Sequence, residues 1–110
     1  MTIFDALHDM GDPVGAASHV ASTLAEGGTF MLVEPFAGDS LEENLHPLGR
    51  IYYAFSTMVC VPASKSQEVG LGLGAQAGQK QLTQVLNAAG FSQVRRAAVT
   101  PTNLVLEAKV

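Results

Sequence analysis

Hydrophobic residues in the first third of the chain form two short continuous runs separated by a helical stripe. Thr2 to Leu7 and Thr29 to Val33 are largely apolar runs, which predict two buried parallel strands. Between them, Val14 to Ala25 carries apolar residues at helical spacing. Asp12-Pro13 before this stretch predicts an N-cap with proline in the first helical turn, and Gly27-Gly28 after it predicts the helix end.

The remaining pattern predicts two further helices and a hairpin. The polar segment 36–47 contains a helix start at 39–43, and the apolar, aromatic segment 48–61 predicts a helix over a pocket or a sheet. A strand over 58–61 is an alternative for the end of that segment. Residues 62–75 predict a loop, 76–89 a helix, and 91–100 with 103–110 two strands joined as a hairpin.

Alternation of strands and helices predicts one α/β domain. We expect a mostly parallel sheet with helices on both faces and a C-terminal antiparallel hairpin. Ligands of such sheets bind beyond the carboxyl ends of the strands. His8, Asp9 and Glu34 all fall at predicted strand ends, so they are the candidate site.

The composition argues against several classes of function. The formal net charge of −4 provides no basic surface, which argues against nucleic acid as a partner. No apolar run approaches the length of about 20 residues that a membrane span needs, and no basic segment resembling a signal peptide stands at the N-terminus. Cys60 is the single cysteine, which fits a reducing compartment. The expected location is the cytoplasm.

The order of these segments resembles the second half of class I S-adenosylmethionine-dependent methyltransferases. The segments 4–9, 12–13, 24–28 and 33–35 look like the region of their fourth and fifth strands, and 86–91 with the hairpin looks like their last helix and strands. The stretch from Leu7 to Asp12 resembles the Leu-His-Asp-Trp-x-Asp stretch of caffeate-type O-methyltransferases and their bacterial polyketide-tailoring relatives, with Met10 in place of the Trp. The resemblance implies a partial Rossmann-like methyltransferase fold.

The same resemblance implies roles for individual residues. His8 would be the general base that accepts a proton from a substrate hydroxyl, and Glu34 would be the acid that orients it. A second acid expected just before the last helix is replaced by Gln76. Apart from the resemblance, Asp9 and the aromatic side chains of the predicted helix over 48–61 are the candidate lining of a small-molecule substrate pocket. Those side chains, with one methionine, are Tyr52, Tyr53, Phe55 and Met58.

The family's cofactor-binding unit is not represented in this sequence. A Gly-rich loop after a first strand and an acid after a second strand would precede Thr2, so residues 1–110 correspond to the C-terminal part of the domain. We therefore expect weak or no binding of S-adenosylmethionine by this chain, and little activity without a complementing N-terminal chain. The alternative is a non-catalytic module, for example a homodimer, that pairs through the free edge of its first strand.

Two weaker motifs remain in the sequence. The stretch from Gly70 to Gly74 spells GxGxG, which would suit a nucleotide loop only if a strand preceded it and an acid ended the following strand. Its sequence context favours a flexible loop over the substrate side. His19 and His46 show no metal-ligand spacing to each other or to Cys60, so no metal site is predicted.

Overall fold

The computed structural model describes residues 1–110 as a four-stranded sheet with four α-helices. The strands are β1 (Thr2–Phe4), β2 (Phe30–Pro35), β3 (Gln93–Val99) and β4 (Asn103–Lys109). The helices are α1 (Pro13–Thr23), α2 (Pro47–Phe55), α3 (Val61–Lys65) and α4 (Gln79–Ala88). Short 3₁₀ turns cover Leu7–Asp9 and Glu42–Asn44, and a π-helical segment at Ser56–Cys60 joins α2 to α3.

The sheet is mixed, with the order β1-β2-β4-β3. β1 pairs with β2 in parallel, whereas β4 lies antiparallel between β2 and β3. Three strands therefore point in one direction, although only one adjacent pair is parallel. The predicted parallel pair and the C-terminal antiparallel hairpin are both confirmed, whereas the expectation of a mostly parallel sheet is wrong, because β4 lies antiparallel to both of its neighbours.

The two longest helices, α1 and α4, pack on the same face of the sheet. One hydrophobic cluster joins α1, through Ala17 and Val20, and α4, through Leu82 and Leu86, to the buried sheet residues. Alternation along the strands and their register place those sheet residues on one face; they are Phe30, Leu32, Leu104, Leu106 and Ala108. The two helices α1 and α4 thus share one face, while Phe4 on the other face is 58% exposed, so the expected coverage of both faces by helices stays a prediction.

The first strand is shorter than the sequence indicated. β1 ends at Phe4 because Asp5 takes a left-handed conformation, with φ of 44°. The backbone N–H of Asp5 still donates to the carbonyl of Val33, and the Asp5 carboxylate accepts from Asn103 Nδ2 at 2.8 Å. This turn carries the chain out of the sheet and into the 3₁₀ turn that contains His8.

The aromatic helix is longer than predicted. Pro62 was expected to open a loop, but helical structure continues from Pro47 to Lys65. The change to π-helical hydrogen bonding just before Val61 makes Pro62 a first-turn residue of α3, where a missing N–H costs little. The alternative of a strand over 58–61 is therefore wrong. No helix has the length and apolar character needed to cross a membrane.

Candidate functional site

The candidate site forms where the carboxyl ends of β1 and β2 meet. Glu34 lies near the end of β2, on the same face as the core residue Leu32. The turn after β1 places His8 beneath this carboxylate. Parallel neighbouring strands end at the same edge of a sheet, which is why two residues far apart in sequence come into contact here.

His8 and Glu34 form a buried pair. His8 Nδ1 lies 2.5 Å from Glu34 Oε2, and the backbone N–H of Leu7 donates to Glu34 Oε1 at 2.9 Å. The two side chains are only 4% and 1% exposed. A carboxylate can only accept in such a contact, so Nδ1 carries the proton. Nε2 is then the nitrogen available to a ligand or a substrate.

Asp9 lies on the other side of the imidazole. Its Oδ1 is 3.3 Å from His8 Nε2, yet this buried oxygen has no hydrogen-bond partner. Burial lowers the pKa of His8, but the hydrogen bond with Glu34 and the charges of Glu34, Asp9 and Asp5 together raise this pKa above 6.5. The carboxylates therefore stabilise an imidazolium at this position.

An open cavity of about 420 Å³ adjoins His8. Asp9 and Tyr52, two predicted pocket residues, line it, and the Tyr52 hydroxyl donates to the carbonyl of Thr102 at 2.7 Å. Two others lie elsewhere: Tyr53 lines a separate cavity, and Met58 is 79% exposed. The aromatic helix thus contributes to the cavity through Tyr52 and Phe55, which are two of its four predicted residues.

Several lining residues were not singled out from the sequence. They are Asp5, Pro35, Val59, Cys60, Ala75, Thr102 and Asn103. Among these side chains, Cys60 bears most directly on the chemistry of the site. Its Sγ, with His8 and Asp9, forms a set of three potential metal ligands. Burial, with the neighbouring Asp9, raises the pKa of Cys60 to about 11. Its sequence position did not indicate this proximity, since only the fold brings the aromatic helix over the strand ends.

Gln76, which occupies the place of the expected second acid, belongs to another network. Its Oε1 accepts a hydrogen bond from Ser56 Oγ, and its Nε2 donates to the carbonyl of Leu73 at 3.2 Å. Ser56 Oγ in turn accepts from the N–H of Ala75 at 2.7 Å. Gln76 therefore fixes the loop before α4 and makes no hydrogen bond to His8.

The GxGxG stretch is a structural connection between α3 and α4. Gly70, Gly72 and Gly74 all have positive φ, between 61° and 77°. The N–H of Leu71 donates to the carbonyl of Gly11 at 2.9 Å, and that of Gly72 donates to a serine hydroxyl at 2.9 Å. The loop follows a helix and uses these amides internally, so it lacks the strand-loop-helix arrangement of a nucleotide site.

We expect the buried pair to make stability depend on pH. Because the folded-state pKa of His8 is raised, its contribution is complete below pH 6.5 and is lost as the pH rises through the folded-state pKa. The stability difference between the native chain and His8→Asn, measured by urea unfolding with a chelator present, should therefore be larger at pH 6 than at pH 9. An equal difference at both pH values would contradict the raised pKa.

No protein-family model matches the chain, and no curated protein matches it in a sequence search.

Proposed function

We propose that these residues form the substrate half of a Rossmann-like methyltransferase domain that methylates a small molecule, most readily at oxygen. The observation that carries the proposal is the buried contact between His8 Nδ1 and Glu34 Oε2 at the ends of two adjacent parallel strands. The resemblance of the Leu7 to Asp12 stretch to caffeate-type O-methyltransferases supports the same assignment.

The chain's own contribution to such a reaction is proton acceptance. With the Nδ1–H held by Glu34, His8 Nε2 would accept the proton of a substrate hydroxyl as its oxygen is methylated. Glu34 and Asp9 would stabilise the imidazolium that forms, and the raised pKa of His8 is consistent with that stabilisation. In this proposal Asp9 is the second acid beside the base, on the side of the imidazole away from Glu34. The sequence resemblance placed that second acid at the position of Gln76.

The proposed substrate is a partly apolar hydroxyl compound. Phe55 and Val59 provide apolar lining of the cavity, whereas Tyr52 and Asn103 provide polar groups. Burial, with the charge of Asp5, raises the pKa of Tyr52, which keeps its hydroxyl a donor. A phenol suits this setting, because its proton is acidic enough for a neighbouring imidazole to accept.

The methyl donor in this proposal is S-adenosylmethionine, which supplies an electrophilic methyl group when bound. The 110 residues do not include a Gly-rich loop arranged to bind this donor. The GxGxG loop follows a helix, and its backbone amides donate within the chain. We therefore propose that a complementing N-terminal chain provides the Gly-rich loop, and that the assembly works in the cytoplasm without membrane or nucleic acid.

Titration calorimetry with S-adenosylhomocysteine tests the proposal in two steps. The folded chain alone should bind the ligand weakly or not at all, and co-expression with the reading frame immediately upstream should restore binding. Transfer of labelled methyl to phenols by that complex should then fall about 100- to 10,000-fold in His8→Ala. The exposed His19→Ala serves as the matched control and should be unaffected.

Two results would refute the proposal. One is a folded complex that binds no S-adenosylhomocysteine, and the other is methyl transfer that His8→Ala leaves unchanged. Tight binding by the chain alone would instead refute only the division of the site between two chains.

A second candidate function is a non-catalytic module that dimerises through its first strand. β1 pairs only with β2, so its other edge is free, and Phe4 beside this edge is 58% exposed. This candidate predicts a concentration-dependent dimer that binds no S-adenosylhomocysteine. The mass of the chain in solution, measured alongside the calorimetry, distinguishes the two candidates.

A further inference from the structure

A buried carboxylate oxygen without a partner points to a ligand beside His8. Asp9 Oδ1 is enclosed and has no partner in hydrogen-bond geometry, although His8 Nε2 is 3.3 Å away and the Cys60 thiol also approaches the Asp9 carboxylate. Buried polar atoms in proteins are nearly always paired, because an unpaired one retains its full desolvation cost. The two atoms lie close together without the geometry of a hydrogen bond, as two ligands of one ion do.

Cys60 completes a set of three ligands. Nε2 of His8, a carboxylate oxygen of Asp9 and Sγ of Cys60 all lie within 4.8 Å of one another, and His8 and Cys60 are buried. Two atoms bound about 2.0–2.1 Å from a tetrahedral zinc ion are themselves about 3.3 Å apart. The separation of His8 Nε2 from Asp9 Oδ1 matches this value, and Cys60 Sγ lies within 4.8 Å of both atoms.

From this geometry we infer that the chain binds a zinc ion through His8 Nε2, Asp9 Oδ1 and Cys60 Sγ. One nitrogen, one oxygen and one sulfur ligand suit zinc and exclude magnesium and calcium, which prefer oxygen alone. Glu34 on Nδ1 supplies the outer carboxylate that orients histidine ligands of zinc. All three ligand residues line the cavity, so the fourth position faces it and is open to a water or an anionic ligand.

Zinc binding goes beyond the proposed function and does not depend on it. A metal on Nε2 occupies the nitrogen that would accept the substrate proton, so the zinc-bound chain and the base-competent chain are mutually exclusive states. Metal binding is therefore read out separately from methyl transfer, and either proposal can fail without the other.

Cobalt spectroscopy of the purified, chelator-treated chain tests the site. Co²⁺ should bind once per chain and produce the ultraviolet charge-transfer absorption of a cobalt-thiolate bond, and Zn²⁺ should displace it. Cys60→Ser should abolish this absorption and weaken Zn²⁺ binding at least about tenfold in calorimetry. His19→Ala, which removes an exposed imidazole on α1, is the control and should change neither signal.

Asp9→Asn provides an independent variant in case the cysteine substitution disturbs folding, because its side chain is 42% exposed. It should retain the thiolate absorption while weakening Zn²⁺ binding about tenfold. Co²⁺ binding without a thiolate band would overturn the assignment. Zn²⁺ affinity that is unchanged in Asp9→Asn, or that falls in His19→Ala, would overturn it as well.

Discussion

Glu34→Ala is expected to lower the free energy of unfolding by about 3–5 kcal/mol. The wild-type carboxylate accepts from His8 Nδ1 and from the Leu7 N–H, and all three groups are enclosed. Alanine would leave a buried imidazole and a buried backbone N–H without acceptors, and it would also leave a cavity. Urea unfolding at pH 6 with a chelator present measures the loss where the pair contributes fully.

Glu34→Gln separates the structural role of this residue from its electrostatic role. Glutamine keeps the shape and can still accept from the Leu7 N–H, so we expect a loss of only about 1.5–3 kcal/mol. Its amide would donate to Nδ1, which reverses the tautomer of His8 and places the proton on Nε2. The folded variant would then be unable to accept a substrate proton. The pKa of His8, followed by NMR, should also fall, since the negative charge that raises it is gone.

Glu26→Ala is the control for both variants. Glu26 is exposed beyond the end of α1, so its removal should change stability by no more than about 0.5 kcal/mol. If Glu34→Ala were no more destabilising than Glu26→Ala, the buried contact with His8 would not hold the strand ends together.

The sequence allowed the local features of this fold to be predicted, because they depend on neighbouring residues. Asp12 accepts from the Gly15 N–H at 2.8 Å, as expected of an N-cap before Pro13. The hairpin around 100–102 also follows from short-range pattern, and the parallel pair of β1 and β2 follows from the order strand, helix, strand. Contact between His8 and Glu34 could be expected once both were placed at the ends of adjacent parallel strands.

The features that were missed depend on contacts between distant segments. The helix continues through Pro62 because a π-helical segment precedes it, and no composition rule indicates where such a segment forms. Cys60 approaches Asp9 only because the aromatic helix lies over the strand ends. Its placement is fixed by tertiary hydrogen bonds, such as the one from Ser64 Oγ to the Met10 carbonyl at 2.8 Å. Sequence spacing therefore gave no sign of the cluster of three metal ligands.

Phe30→Ala is expected to lower the free energy of unfolding by about 3–5 kcal/mol. Phe30 begins β2, is fully buried, and lies with its ring centroid 5.5 Å from that of Phe91. Alanine would remove an aromatic contact and leave a cavity beneath α1 and α4. The cavity would not collapse fully, because the rest of the core is closely packed. Chemical denaturation at a fixed pH gives the value.

Phe4→Ala is the matched control, because it makes the same chemical change at a position that is 58% exposed. In a monomer it should cost no more than about 0.5 kcal/mol. Phe30 lies four residues before Glu34 on the same strand and on the same face. The core therefore fixes the strand that carries the orienting carboxylate. A similar small loss of stability in Phe30→Ala and Phe4→Ala would show that the helices do not pack on this face. A large loss at Phe4 alone would instead indicate that the free edge of β1 is covered in solution by another chain.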